Sequence, residues 1–387
     1  MHLNKLNNEN ELKDMSCTDL AQQWGKLKKA VQNDYEAVPI TEFCHFPKYT
    51  SVYSRSHVDA IADSQSERFT KRIIQSARSV ASSQNCQDID EAAESLRNSE
   101  FARELTTILL DRELTPCLKR LIMKAEAKSQ CLRKELYEFY ELNVKRDKDR
   151  CIFIAQGTAT QSEELWHTER CGKVTGSKIY ELYTYISNKK PNWEKKLDAV
   201  FNSKFKGDVY TMYGIECEPI AREKYATANG LPVLQNGLFV RPELPFLGYS
   251  ADGIIPDESG EPHHLWEVKS LEVGKTTPAK DLFKVANCCN NKTESLKRKH
   301  KYYGQIQLGM LLMGFDSCDF MLHSSVDDDD DVAVEEVAFD EEFTFKMVSD
   351  IIDLYFDKIL PWLFLNKNGN CELNVSDDQS NYLPSFN

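Results

Sequence analysis

The stretch His264-Leu265-Trp266-Glu267-Val268-Lys269 governs how this chain is read. It is short and mostly apolar, but it carries an acid and a base two residues apart. In a strand, alternate side chains share a face, so Leu265, Glu267 and Lys269 point one way and Trp266 and Val268 the other. Charges on such a strand are expensive to bury unless partners meet them. A partner stands fifteen residues before Glu267, in Gly248-Tyr249-Ser250-Ala251-Asp252-Gly253-Ile254-Ile255. Gly253 there suits a tight turn. The gap fits a hairpin that sets the strand ending at Asp252 beside the strand carrying Glu267. Two converging carboxylates make a hard oxygen site suited to Mg2+. Lys269 then stands within reach of a water or phosphate at that site, which is the logic of metal-assisted phosphodiester hydrolysis. On these residues alone, an interstrand ion pair with Lys269 is the plainer alternative.

The composition permits such a core. The chain has 387 residues, enough for two or three domains or one large domain with an appendage, and it is 41% hydrophobic and 10% aromatic. These values exclude a wholly disordered, collagenous or low-complexity chain. There is no run of 18 apolar residues, and the first ten residues contain no apolar signal-like stretch. The expectation is an intracellular protein, nuclear or cytoplasmic, that is neither secreted nor associated with a membrane. Twelve cysteines occur without a C-x2-C pair, and most are read as reduced thiols. The net charge of −13 argues at first against nucleic acid. However, residues 327–350 hold eleven acids and one base, so the remainder carries only −3, and residues 262–301 carry +5. The local field, not the total, decides whether a phosphate backbone docks.

Residues 1–57 lack periodicity, and 38–47 reads as irregular. Helical spacing follows at Ile73, Ile74, Ala77 and Val80, at Leu105, Ile108 and Leu109, and at Leu118, Leu121 and Ile122. Glu135 to Lys145 continues as a polar helix whose charges read as a wet face. No chemical motif occurs in this region. The texture changes near 151. Helices are expected near 176–187, 213–229, 299–313 and 341–359, the last ending near Pro361. Strands are expected at 233–240, 245–254, 264–270, 317–325 and 332–339. This is a mixed α/β order without strict alternation, and neither a P-loop nor a G-x-G-x-x-G is present.

The split pattern of Asp252 and then Glu267-Val268-Lys269 resembles the core of the PD-(D/E)XK nucleases. Three further blocks narrow the resemblance. Trp166-His167-Thr168-Glu169-Arg170-Cys171-Gly172-Lys173-Val174-Thr175-Gly176-Ser177 resembles a W-x3-R-x-G-x-h-T-x-S pattern, with h apolar. Gly214-Ile215-Glu216-Cys217-Glu218-Pro219-Ile220-Ala221 resembles a G-x3-E-x2-A helix. Tyr302-Tyr303-Gly304-Gln305-Ile306-Gln307 resembles a Y-x2-Q-h-Q helix. In order and spacing, these blocks are similar to those of the lambda exonuclease and YqaJ-type viral recombinase nucleases, over about 155–365.

The resemblance implies a PD-(D/E)XK restriction-endonuclease-like α/β core, a mixed sheet with helices on both sides, preceded by a mostly helical region. The expected layout is 1–150 helical, 151–365 nuclease and 366–387 tail. The implied activity is a Mg2+-dependent deoxyribonuclease, with Mn2+ able to substitute, that degrades duplex DNA ends as a 5′→3′ exonuclease in recombination or repair. An endonuclease on the same core and a non-catalytic nucleic-acid-binding module are the rivals. Asp252, Glu267 and the Val268 carbonyl would hold metal. Lys269, Glu218 and Gln305 would be catalytic, and Arg170 and Ser177 would bind a DNA phosphate. The family's context also allows a single-strand-annealing recombination protein as partner and a homo-oligomer.

Some readings concern single residues. Trp166 is expected in the core, Thr175 as a helix N-cap, and Gln307 in a structural role. Ala221, Arg222 and Tyr225 share the Glu218 face. This chain departs from the family in having Ala251 where Pro is usual and Ser270-Leu271 where Cys-Pro is common. It also has Pro219 directly after Glu218. Because Pro belongs in a first helical turn, the helix is expected to start near Glu216 or to kink, with Glu216 as the alternative acid. The basic insertion 270–301 is expected either to track a DNA backbone, with salt-sensitive affinity, or to be a solvated loop.

Overall fold

The computed structural model describes residues 89–159, 164–202, 209–326 and 331–366. The 38–47 segment, the periodicity at Ile73 to Val80 and nearly all of the 366–387 tail fall outside these residues. Four helices come first: α1 (Ile89–Asp111), α2 (Pro116–Gln130), α3 (Lys134–Asn143) and α4 (Lys148–Gly157). Local chemistry starts two of them. The Thr115 hydroxyl accepts from the Leu118 amide ahead of Pro116, and the Asp147 carboxylate accepts from the Arg150 amide at 2.7 Å.

The second part runs α5 (Glu164–Arg170), β1 (Val174–Thr175), α6 (Gly176–Ile186), α7 (Trp193–Phe201), α8 (Val209–Asn229), β2 (Leu238–Phe239), β3 (Leu247–Ser250), β4 (Gly253–Pro256) and β5 (Pro262–Lys269). It continues with α9 (Ala279–Val285), β6 (Cys289–Asn290), β7 (Ser295–Leu296), α10 (Lys301–Met313), β8 (Ser317–Leu322), β9 (Ala333–Ala338), α11 (Glu341–Leu354) and α12 (Leu360–Leu365). The main sheet has the order β4-β5-β8-β9, with β5 and β8 parallel and the outer pairs antiparallel. A small sheet, β1-β3-β2, flanks it. A parallel pair requires a long crossover, and α10 lies within the one between β5 and β8.

Side-chain alternation on β5 divides the core into two layers. Leu265 faces the cluster that includes Ile306, Leu308 and Phe320, whereas Trp266 and Val268 face Ala221 and Tyr225 of α8. Helices therefore cover both faces of a mixed α/β sheet, with helices preceding it, which is the expected fold class. The early helices dock on the same core. Phe139 meets Phe364 edge-on at 5.6 Å between centroids, and Tyr140 packs on Phe356. The Lys124 ammonium lies 2.6 Å from Asp353, and Lys128 lies 3.1 Å from both Asp353 and Asp357. Some charges on the supposedly wet helical faces thus join elements.

Several boundaries differ from the sequence reading. The 245–254 strand is two strands in two sheets, broken at Ala251-Asp252. Only Leu238–Phe239 of 233–240 forms a strand, although Leu234 bridges Ile254. Helix α8 begins at Val209, not near Glu216, and contains Pro219. The last helix passes Pro361 by way of a π turn, Tyr355–Ile359, in which the Leu360 amide reaches back to the Tyr355 carbonyl. This wider turn precedes a residue that has no amide hydrogen and crowds the carbonyl four residues back. The basic insertion is not a bare loop. It folds into a 3-10 turn at Glu272–Lys275, then α9 and the β6-β7 hairpin, with Cys288 and Cys289 buried.

Candidate active site

Asp252 sits in the two-residue break between β3 and β4. Strand β4 then pairs antiparallel with β5, placing Gly253 opposite Trp266. Gly253 is required for space, since its backbone does not take a left-handed conformation. A Cβ there would lie 2.1 Å from the Val233 side chain and 3.0 Å from the Trp266 ring. The turn returns Asp252 to the end of β5, where its Oδ2 accepts from the Val268 amide at 3.0 Å and from the Lys269 ammonium at 3.3 Å. A residue's amide and carbonyl point to the same side of a strand, so the Val268 carbonyl also faces Asp252, beyond the last β4 pair.

Glu267 is fully buried, and three donors hold its carboxylate: Lys269 at 2.5 Å, the Tyr249 hydroxyl at 2.5 Å and the Gln305 amide. Burial, then the nearby Asp252 charge, push its pKa up to about 8. Tyr249 reaches Glu267 because two glycines make room for its ring. A Cβ at Gly309 would lie 2.5 Å from it, and one at Gly176 2.8 Å from it. Lys269 is 2% exposed, and its ammonium stands 5.5 Å from the Tyr302 ring centroid.

Glu218 completes the cluster from α8. Its carboxylate is paired with Arg222 at 2.5 Å, and Arg222 also reaches the Asp252 carbonyl at 3.3 Å and the Gln235 amide oxygen at 2.7 and 2.9 Å. Burial and the Asp252 charge raise Glu218 to about 7. Glu216 is exposed, so Glu218 and not Glu216 is the acid aimed at Asp252. Pro219 interrupts neither the helix nor this aim. Tyr225, on the same helical stripe, bonds Asp319 on β8 instead.

Arg170 and Ser177 are also brought together. The guanidinium lies 3.3 Å from Ser177 Oγ and 3.4 Å from Ser250 Oγ, stacked 4.1 Å from the Trp166 ring. Trp166 is half-buried and packs against the small core of Cys151, Ile154, Leu238 and Val240, and its indole nitrogen donates to Ser250 at 3.0 Å. Thr175 is the positional N-cap of α6, but its hydroxyl meets Ser177 Oγ at 3.2 Å and makes no backbone cap bond. Gln307 is structural, tying the Ala338 carbonyl, the Asp340 amide and Thr344. Tyr249, Ser250 and Arg222 escaped assignment by sequence. The signal for the first two was their position, since alternation on the strand just before Asp252 sends one toward Glu267 and the next toward Arg170.

Three acids, Asp252, Glu267 and Glu218, face two cations, Lys269 and Arg222. Two of the acids, Glu218 and Glu267, are pushed up by burial and by the Asp252 charge, a strain that a further cation would relieve. Among the described residues, no group of three or more His, Cys, Asp or Glu side chains converges as metal ligands. The oxygen donors available to a hard cation are therefore Asp252, Glu267 and the Val268 carbonyl, and their chemistry fits one. No helix among the described residues is long and apolar enough to cross a membrane.

No curated protein matches the chain. Among solved structures, an alkaline exonuclease, LHK-Exo from Laribacter hongkongensis, is 22% identical over 53% of this chain and 98% of that one, with a TM-score of 0.40. The Shutoff and Exonuclease Protein of Kaposi's sarcoma-associated herpesvirus is 11% identical over 76% of this chain and 98% of that one, with a TM-score of 0.34. Residues 165–316, which contain all four motif blocks and every residue of the two clusters, match the YqaJ-like viral recombinase domain. Over these residues, the chain is similar to the YqaJ-like viral recombinase family.

Proposed function

We propose that the chain is a Mg2+-dependent deoxyribonuclease that digests duplex DNA from 5′-phosphorylated ends. The observation that carries this reading is the pairing of opposite clusters two residues apart on one strand break. The acid-rich cluster at Asp252 suits a cation and an attacking water. The Arg170–Ser177–Ser250 cluster offers a guanidinium and hydroxyls to a phosphate. The nuclease unit is taken as 151–365, with the helices before it docked as a buttress.

A divalent cation held by Asp252, Glu267 and the Val268 carbonyl would polarise the scissile phosphate and acidify a water. The chain's own groups then have defined roles. Tyr249 and Gln305 fix both oxygens of Glu267, so its orientation is set before substrate arrives. The Val268 amide aims Asp252. Lys269, within 3.3 Å of both acids, orients the water and meets the charge that develops on the phosphate. Glu218, whose proton is exchangeable near neutrality, is suited to accept the proton that the water loses. Arg170, Ser177 and Ser250 hold the terminal phosphate and set the register of the strand.

The test is digestion of a linear duplex labelled at one 5′ end and of a closed circular plasmid, with Mg2+ or EDTA, beside Asp252→Asn. Loss of the linear DNA alone, abolished by EDTA and by the substitution, is the expected result. Nicking of the circle would replace the exonuclease with an endonuclease. DNA binding without any digestion would leave a non-catalytic module.

A further inference from the structure

On the other side of α8 from Glu218 lies a polar cluster that the nuclease mechanism does not use. The Tyr213 hydroxyl is 2.8 Å from Ser325 Oγ, and Ser325 Oγ is 3.3 Å from His323 Nε2. Lys275 Nζ stands 4.5 Å from the centroid of the Tyr213 ring and pairs with Glu272 at 2.9 Å. Lys224 Nζ reaches the Ser324 carbonyl at 3.5 Å. The cluster adjoins the active site through neighbouring residues. Cys217 precedes Glu218 and bonds Ser270, which follows Lys269, and the His323 amide donates to the Lys269 carbonyl at 3.0 Å.

The direction of the hydrogen bonds gives this cluster a use. His323 is 2% exposed, and its Nδ1 is buried without a partner. A hydrogen on Nδ1 would be an orphaned buried donor, so the tautomer that avoids this carries its hydrogen on Nε2. That hydrogen then points to Ser325 Oγ, which passes its own to the Tyr213 oxygen. The phenol's own hydrogen is thereby left for the Cys217 thiol or for an incoming acceptor, and the Lys275 ammonium stands over the face of the ring. Ser325 is exposed and Tyr213 and Lys275 are partly so, hence this donor pair faces solvent. Hydroxyls and an ammonium on one partly exposed surface are the chemistry that recognises a phosphate oxygen.

We infer that Tyr213, Ser325 and Lys275 form a second phosphate subsite that holds a backbone phosphate flanking the scissile one. The inference rests on the nuclease reading and deepens it, because it assigns a path for the strand past Lys269 on the side away from Arg170.

The experiment uses the full chain with Mg2+ and a 5′-phosphorylated linear duplex, in Tyr213→Phe, Ser325→Ala and Lys275→Met variants. Each should raise KM about threefold to tenfold at unchanged kcat, as for the loss of one charge-assisted hydrogen bond. Lys275→Met should also lower the salt slope of KM by about 0.9. Single methylphosphonate linkages placed along the strand should show one position that penalises the wild type but not Lys275→Met. A wild-type methylphosphonate profile and salt slope in all three variants would overturn the subsite while leaving the nuclease intact. A wild-type chain that neither binds nor cuts DNA would overturn the nuclease reading and the subsite with it.

Discussion

Ser250 and Asp252 are separated by one residue, yet they belong to clusters of opposite character. Around Asp252 and Glu267 the groups are buried and bonded at 2.5–3.3 Å, and acids outnumber cations. Around Ser250 the groups are only partly buried and bonded at 3.0–3.4 Å, and the only charge among Arg170, Ser177 and Ser250 is a guanidinium. The first cluster is pre-organised and short of positive charge. The second is accessible and suited to an anion. Alternation would put residues two apart on one face, but the chain leaves β3 after Ser250, so Asp252 in the break is free to turn to the other cluster. The difference teaches that one strand break can offer a buried, acid-rich site suited to a cation beside a more accessible one suited to an anion.

The comparison can be broken most severely at its rigid end. Lys269→Ala should reduce cleavage by about a thousandfold or more, the scale of losing a pre-organised electrostatic contact, while duplex binding stays within a few-fold. Parallel loss of cleavage and binding would show Lys269 to be a structural member of the cluster. At the more accessible end, Arg170→Ala and Ser250→Ala should each erase about tenfold or more of any preference for 5′-phosphate over 5′-hydroxyl ends, read from paired kcat/KM values. An unchanged preference would remove the anion-holding role.

The shortage of positive charge makes a prediction about stability. Glu218 and Glu267 are held above the ordinary carboxylate range, near 7 and 8. Folding therefore favours their protonated forms, so the stability they contribute is present at pH 5 and lost as pH rises through those values. Without metal, Tm should fall by several degrees between pH 5.5 and 8.5. Mg2+ should raise Tm more at pH 8.5 than at pH 6, and Glu267→Gln should flatten both trends. Equal Mg2+ shifts at the two pH values would place the cation elsewhere. The smallest effect is expected away from both clusters. Lys124→Met, which removes the partly exposed pairing of α2 with α11, should cost under about 1 kcal/mol in denaturant unfolding and leave cleavage unchanged.

Much of this site was legible because its chemistry is local in sequence. Glu267 and Lys269 share one short strand, so their common face follows from alternation alone. Gln305 and Tyr302 share a helical stripe, as do Glu218, Arg222 and Tyr225. Pro219 misled as to where the helix starts, because its rule describes isolated helices, whereas Ala221 and Tyr225 pack α8 against Ile255, Trp266, Val268 and Met321 just beyond the proline. Trp166 packs on a core cluster as expected and has a second role as well. An indole has a polar edge and a π face, and here both are used, by Ser250 and by Arg170.

By itself the sequence determined the strand that carries Glu267 and Lys269, the identity of the charged residues, and the mixed α/β class. Period-two alternation and the cost of burying charge act within a few residues. Only the tertiary structure decided that 245–254 breaks at Asp252 into two sheets, that Tyr249 and Ser250 serve opposite clusters, and that Glu218 rather than Glu216 faces the site. It also decided that the basic insertion packs as ordered structure. Each of these outcomes depends on what lies across the sheet or on the facing helix: the ring that needs Gly176 and Gly309, the guanidinium that finds Ser250, the core that holds α8 just beyond its proline. Contacts between residues distant in sequence carry those energies, and no local pattern encodes them.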